Sequence, residues 1–318
     1  MRMESLEPRR LFSSGLPRPD HIVIVVEENH SFQDILGAGL IPPVLWSVIP
    51  PSQLADAPYV RKLAQQGASL TNMNAETHPS QPNYLALFSG STQNVDGDTP
   101  PAKQFTAPSL GGQLIAKGLT FAGYSEDQPG AGYLGVKSGE YARKHNPWSD
   151  FTDVPASSNL PFSSFPADFS KLPTVSFVVP HQLKDMHSGS IRAADKWLKS
   201  NLGAYVRWSQ SHNSMLIVTW DEGRGGGNQI PTLLFGAHVR KGKFGYASDH
   251  YRLLRTIEQM YGLTPLGAAA NNAPLRKIFH VAAKATPAMT AQAVTAPPLF
   301  ADQPITPSAW HKLGDVAL

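Results

Sequence analysis

Three short runs of Val, Ile and Leu each lead into a polar cluster, and this pattern restricts the fold more than any other feature of the chain. His21 to Val26 (HIVIVV) runs into Glu27-Glu28-Asn29-His30, Thr174 to Val179 (TVSFVV) leads towards Asp185 and His187, and Ser214 to Trp220 (SMLIVTW) runs into Asp221-Glu222. Nearly continuous apolar runs of this length are expected of strands buried on both faces of a parallel sheet. In open α/β sheets, ligands sit beyond the carboxyl ends of such strands. The three clusters are therefore predicted to converge on one site.

Helical spacing alternates with these runs. Asp56 to Gln66 places Val60, Leu63 and Ala64 on one side and stops at Gly67, after which Ala68 to Met73 is extended. Leu110 to Lys117 reads as a helix ended by Gly118, and Leu119 to Tyr124 as a strand. Ile191 to Trp208 sets Ala194, Trp197, Leu198, Leu202 and Val206 on a single stripe. Pro231 to Phe235 is another strand, and Tyr251 to Tyr261 a helix closed by Gly262. Such alternation predicts an α/β fold with a doubly wound, mainly parallel sheet. We expect one catalytic domain over residues 20–281, an N-terminal segment 1–19 and an Ala/Thr/Pro-rich tail 282–318. Within the domain, residues 125–172 are rich in Pro, Ser, Gly and aromatics with weak periodicity, and read as an excursion covering the site rather than as core.

Composition narrows the chemistry. The chain has no cysteine, so disulfides, thiolate metal sites and a cysteine nucleophile are excluded. Lys and Arg total 27 against 24 acidic residues, giving +3, and the basic residues are scattered. That pattern does not describe a nucleic-acid surface, but it suits a small anionic substrate. No apolar stretch is long enough to cross a membrane, and the basic start (Arg9, Arg10) has too short an apolar element for a clear signal peptide.

Glu28, Asn29, Asp221 and Glu222 offer hard oxygen ligands for Mg, Ca, Mn or Zn, with His187 or His250 as nitrogen donors. Taken singly, each is as readily a helix cap or a solvated loop residue: a Glu-Asn pair satisfies free backbone donors, and Asp249-His250 precedes a helix as caps do. Ser80 stands in His78-Pro79-Ser80-Gln81-Pro82-Asn83, just before the apolar stretch Tyr84 to Phe88. The prolines fix the backbone and a following helix aims N–H groups at an anion, although a serine there can also be only an N-cap. A serine hydroxyl needs a base or a metal to become a nucleophile, and the carboxylate set argues for metal. There is no Gly-x-Ser-x-Gly elbow, Walker loop, Gly-x-Gly-x-x-Gly or His-Glu-x-x-His. Gly223 to Asn228 follows an acidic pair, so its glycines read as backbone turning near a ligand, or as mere flexibility.

Five stretches, VVEENHSFQDILG, HPSQPNYLALFSGS, DMHSGSIRAADKWL, TWDEGRGGGNQIPTLLFG and SDHYRLLRTIEQMYGL, occur in that order over roughly residues 21 to 263. Here the chain resembles the bacterial phosphoesterase family of secreted acid phosphatases and phospholipase C enzymes, a branch of the alkaline-phosphatase superfamily. The resemblance implies a three-layer sandwich in which Glu28, Asn29, Ser80, Asp221 and Glu222 bind a divalent metal. Ser80 would be the nucleophile, His187 and His250 proton carriers, and His78, Asn83 and Asp185 would surround the phosphoryl group. It implies a phosphomonoesterase forming a phosphoserine, with a phospholipase C-type phosphodiesterase or a phosphoinositide phosphatase as alternatives, and a periplasmic or secreted location. A sulfatase or phosphonate hydrolase on the same fold, and a non-catalytic exported module holding metal and anion, are the competing classes. Asp249 replaces an Asn common among relatives, and Gly223-Arg224 replaces an acidic residue after Glu222; both departures bear on metal charge balance. The aromatics Phe121, Tyr133, Tyr141, Trp148 and Phe151 are expected either in the core or lining a leaving-group site.

Overall fold

The computed structural model describes residues 15–37, 56–225 and 227–280. The sequence expectations for residues 1–14, for the tail from residue 281 and for Gly226 lie outside the described residues. The chain opens with β1 (His21–Glu27), α1 (Phe32–Leu36), α2 (Pro58–Gln66), β2 (Ala68–Leu70) and α3 (Ser80–Ser89). It continues through α4 (Leu110–Ala116), β3 (Phe121–Ser125), β4 (Lys137–Ser138), β5 (Tyr141–Ala142), β6 (Asn159–Pro161) and β7 (Val175–Val179). Then follow α5 (Ile191–Ser209), β8 (Ser214–Trp220), β9 (Thr232–Gly236), β10 (Gly242–Phe244) and α6 (His250–Tyr261).

One sheet of eight strands has the order β10-β2-β9-β8-β1-β7-β3-β6. Only β9 runs against its neighbours; every other pairing is parallel. The apolar runs read from the sequence occupy its middle: β1 lies between β8 and β7, with Ile24 opposite Ile217 on one side and Phe177 on the other. β7 and β8 are buried along their whole length, which is why their sequences do not alternate. The mainly parallel, doubly wound sheet is therefore the fold of this chain.

Helices α2 and α5 pack together, as do α3, α4 and α6. The α5 stripe of Ala194, Trp197, Leu198, Leu202 and Val206 is buried as its spacing predicts, each large side chain contributing about 1.5–3 kcal/mol on burial. Consecutive residues at the end of β1 point to opposite faces of the sheet: burial, then the charges of Asp185 and of Asp195 on α5, raise the pKa of Glu27, whereas Glu28 accepts the hydroxyl of Tyr84 on α3.

The segment 125–172 departs from expectation. It does not merely cover the site; it adds β6 to the sheet beside β3 and buries Tyr141, Trp148 and Phe151. Trp148 packs on Gly123 of β3, where a Cβ would fall 2.0 Å from the indole ring. Its Nε1 donates to Asn159 Oδ1 at 2.8 Å. Built from 3₁₀ turns and bridges, the segment has no period to read. Phe121, Tyr141, Trp148 and Phe151 are thus core side chains, while Tyr133 is half-buried against Tyr141.

Candidate active site

The site forms beyond the carboxyl ends of β1, β7 and β8. Because Glu27 is paired with Trp220 in register, the residues that follow, Glu28 and Asp221, leave the sheet side by side. Asn29 then turns back with φ +47°, a left-handed conformation that Asn tolerates. Its N–H donates to Asp221 Oδ1 at 3.0 Å. Arg224 is tied to the same turn, its Nε donating to the Asn29 carbonyl at 3.2 Å and its N–H to Ser31 Oγ at 2.8 Å.

Ser80 is the first residue of α3, and the cap position belongs to Pro79, so its hydroxyl is not spent on capping. Buried to 1% exposure, Oγ instead lies 3.3 Å from Glu28 Oε2 and 3.4 Å from Asn29 Oδ1. Asn83 holds the preceding loop from inside: its Oδ1 accepts from the N–H groups of Glu76 and Thr77, each at 3.0 Å. Its Nδ2 donates to the Thr77 and Pro79 carbonyls. With every side-chain atom occupied this way, Asn83 shapes the loop that presents Ser80.

Around Glu28 the other groups gather. Tyr84 donates its hydroxyl to Glu28 Oε1, and His145 Nε2 lies 3.2 Å from the same oxygen. The other ring nitrogen of His145 is 3.7 Å from Asp185 Oδ2. Asp185 accepts the His187 N–H on Oδ1 at 2.8 Å, and its backbone carbonyl accepts Glu28 N–H at 2.7 Å. The His145 and His187 rings stand 6.1 Å apart. Lys144, next to His145, reaches Asp98 Oδ2 at 2.7 Å, while Asp98 Oδ1 accepts the N–H of Gln81. Asp98 therefore couples this lysine to the first turn of α3.

Two residues named from the sequence stand differently. His78 is half exposed and pairs with Glu222 Oε2 at 2.5 Å on the outer side of the site. His250 is buried with both ring nitrogens engaged, Nδ1 with Glu76 Oε2 at 2.6 Å and Nε2 with the Trp220 carbonyl at 2.9 Å. Asp249 caps α6, accepting Arg252 N–H at 2.7 Å, so the capping reading of that pair describes it. His145 and Lys144 were absent from the sequence reading. They sit in the segment without periodicity, and only the tertiary fold carries them to the site.

Electrostatically the cluster is overloaded with buried acid. Burial, then the charges of Asp221 and Asp185, holds Glu28 well above the usual carboxylate range. Burial pushes Asp185 up to about 8 and Asp221 up to about 7, against 3.8 ordinarily. Glu222 is also raised by burial, with His78 opposing. Burial drives His145 well below 6.5, helped by Lys144, and lowers His187 in the same way. For His250, burial is outweighed by Glu76, and its pKa rises.

These features fit a bound cation. Glu28, His145 and Asp185 offer ligand atoms that all lie within 4.8 Å of one another. His145 Nε2, Asp185 Oδ2 and Asp221 Oδ2 are buried without a hydrogen-bond partner. Orphaned buried acceptors beside crowded carboxylates are costly in a protein interior, and a divalent ion removes both penalties at once. A neutral imidazole with two or more carboxylates suits Zn, Mn or Mg.

The mainly parallel sheet with helices packed on it is a fold shared with solved structures of the alkaline-phosphatase superfamily. The fold aligns with a protein of that superfamily from Vibrio parahaemolyticus at TM-score 0.55 and 14% identity, over 83% of this chain and 72% of the other. Residues 52–264 match the Phosphoesterase family model, and the chain belongs to that family. It is 44% identical over 272 residues to a phosphatidylinositol-3-phosphatase of Mycobacterium tuberculosis, covering 85% of this chain and 86% of the relative. A probable acid phosphatase of Kluyveromyces lactis is 31% identical over 245 residues, 70% of this chain but 58% of the yeast protein.

Proposed function

We propose that this chain is a metal-dependent phosphomonoesterase of the acid-phosphatase kind that works through a phosphoserine at Ser80, in a domain of residues 20–281. The observation that carries the reading is the buried Ser80 Oγ, set at a helix start among Glu28, Asn29 and Asp221. Glu28, Asn29, Asp221, Glu222, Asp185 and His145 are the residues that would hold the ion. When bound, a divalent cation there lowers the serine pKa and draws charge from the phosphoryl oxygens.

Ser80 Oγ attacks phosphorus in line, the ester P–O bond breaks, and the serine proton passes to the adjoining carboxylate of Glu28. His187 delivers a proton to the leaving oxygen. Water then attacks phosphorus and gives a proton to His187, the Ser80 P–O bond breaks, and Ser80 Oγ regains the proton held by Glu28 as inorganic phosphate leaves. Lys144 stands over the cluster as the cation that balances the incoming phosphate, while His250 and Asn83 fix the loop carrying Ser80. Because burial lowers the pKa of His187, its donor form is populated in mild acid.

The kinship to a phosphatidylinositol-3-phosphatase favours a phosphorylated inositol lipid as substrate. The test is hydrolysis of p-nitrophenyl phosphate, its bis ester and a short-chain phosphatidylinositol 3-phosphate by metal-stripped protein with Ca, Mg, Mn or Zn restored. Metal-restored monoester turnover that Ser80→Ala lowers at least about a thousandfold supports the reading. Bis-ester preference would replace it with a phosphodiesterase, and near-normal turnover by Ser80→Ala would remove the nucleophile.

A further inference from the structure

Among the described residues, the large apolar side chains left exposed are Leu134 at 47%, Val136 at 62% and Leu183 at 43%. They are not scattered. Leu134 and Val136 lead into the β4–β5 hairpin, and Leu183 lies in the loop that carries Asp185. The two segments are joined where Gln182 N–H donates to the Glu140 carbonyl at 3.1 Å. Arg143 braces the hairpin from beneath, donating from Nη1 to the Leu134 carbonyl and from its N–H to the Val136 carbonyl. The next two residues of the chain are Lys144 and His145. The apolar tips therefore stand on rigid backbone directly beside the phosphoryl site.

Basic charge adjoins them. Lys184 follows Leu183 and, with Arg192 and Lys196 of α5, lines an open groove of about 450 Å³ floored by Trp197. Lys137 is exposed on the hairpin itself. Of the acidic groups nearby, Asp56 is engaged by Arg192, and Glu126 by Trp197 Nε1 and His181, while, among the described residues, Glu140 in the hairpin turn is the one negative side chain set among these cations. Among the described residues, Lys184 and Lys196 have no carboxylate partner. Apolar tips flanked by cations match the two attractions an anionic bilayer offers, insertion at the headgroup boundary and surface potential.

We propose that Leu134, Val136 and Leu183, with Lys137, Lys184, Arg192 and Lys196, form a docking face for an anionic lipid bilayer that sets the catalytic cleft against the membrane surface. Docking is a property of this face alone, so it is tested apart from turnover. The full chain is sedimented with vesicles of phosphatidylcholine mixed with phosphatidylserine, and with phosphatidylcholine alone. Each variant is also assayed on p-nitrophenyl phosphate, which reports folding and chemistry without a lipid.

We expect binding to the mixed vesicles and little to phosphatidylcholine. Lys184→Ala with Lys196→Ala should weaken partitioning roughly twenty-five-fold, about fivefold for each cation, and Leu183→Asp about tenfold or more. Leu134→Ser with Val136→Ser gives an independent variant should Leu183→Asp fold poorly. Lys241→Ala with Lys243→Ala, on and beside the edge strand β10, removes equal charge and should bind normally. No sedimentation of wild type, equal binding to both vesicles, or equal loss in the β10 control would overturn the proposal. So would a vesicle-free dimer that Leu183→Asp abolishes, which would assign the face to a second copy. Absent p-nitrophenyl phosphate turnover with intact vesicle binding would remove the phosphatase reading and leave docking standing.

Discussion

The buried acid cluster should make the metal-stripped protein lose stability as pH rises above 6.5, and the sign follows from where protons are held. Asp185 and Asp221 titrate near 8 and 7 in the folded chain and near 3.8 when unfolded. Above pH 6.5 the unfolded chain has released both protons while the folded chain retains them, so stability falls as pH rises. Integrating the two folded titrations from pH 6.5 to 8, at about 1.4 kcal/mol for each proton and pH unit, gives on the order of 2 kcal/mol for the pair, with Asp185 the larger part. The raised pKa of His250 acts in the same direction. His145 and His187, whose values are lowered, oppose this slope near pH 6.5, where the unfolded imidazoles still hold part of a proton, and the opposition fades as the unfolded rings become neutral at higher pH. A loss of about 2 kcal/mol corresponds to a fall of about 3–4 °C in Tm for a chain of this size. Thermal melts of chelator-treated protein across that range make the measurement. Asp185→Asn removes the larger contribution, so its melts should be flatter and its Tm at pH 8 higher than wild type. Added metal must displace the same protons, so its affinity should climb with pH over the same window. A wild-type Tm that is level or rises from pH 6.5 to 8, or an Asp185→Asn slope equal to wild type, would refute the reasoning.

Four further outcomes follow from particular contacts. His145→Ala removes a buried ligand atom from the Glu28–Asp185 group and should weaken metal binding at least about tenfold by equilibrium dialysis, the scale seen even for groups that only support ligands. Lys144→Ala should raise KM for p-nitrophenyl phosphate more than it lowers kcat, about tenfold, and the activity should lose much of its salt dependence. The lowered pKa of His187 predicts kcat falling from mildly acid towards alkaline pH, and His187→Gln should flatten that limb. Gly123→Ala places a methyl group 2.0 Å from the Trp148 ring and should cost about 3 kcal/mol in chemical denaturation without changing the metal dependence of residual activity.

The central strands were legible as short, continuous apolar runs, and the long helices by their period. Ser214 to Trp220 was read to the residue, and Ile191 to Trp208 differed from α5 by one position. Glu28, Asn29, Asp185, Asp221 and Ser80 could be named because a parallel sheet gathers its strand ends whatever the loops do. Several short elements were not legible. α1, β6 and β10 are three to five residues long, too few for periodicity to speak, and β6 pairs with β3 where Gly123 leaves room for Trp148 to close over that strand.

What stayed hidden in the site was hidden for a different reason. His145 follows Arg143 and Lys144 in a stretch that reads as an ordinary solvated basic turn. The turn is buried because Arg143 pairs with Asp150 through Nε at 3.0 Å and Nη2 at 2.7 Å, and Asp150 Oδ2 in turn accepts from Gln81 beside Ser80. Burial keeps Asp150 near 6 despite the guanidinium, so at neutral pH the two form a buried ion pair whose geometry fixes the turn. One residue of the chain thus turns the same backbone towards α3 and the next two towards the carboxylates. Arg143→Met tests that chain of causes: it keeps the length of the side chain and deletes the pairing. If Arg143 sets the turn, the variant should lose metal affinity and p-nitrophenyl phosphate turnover together while its core melts near normally. Loss of stability with unchanged metal affinity would instead make Arg143 a local fastening, and leave His145 placed by the packing of Tyr84 on its ring, 5.2 Å between centroids.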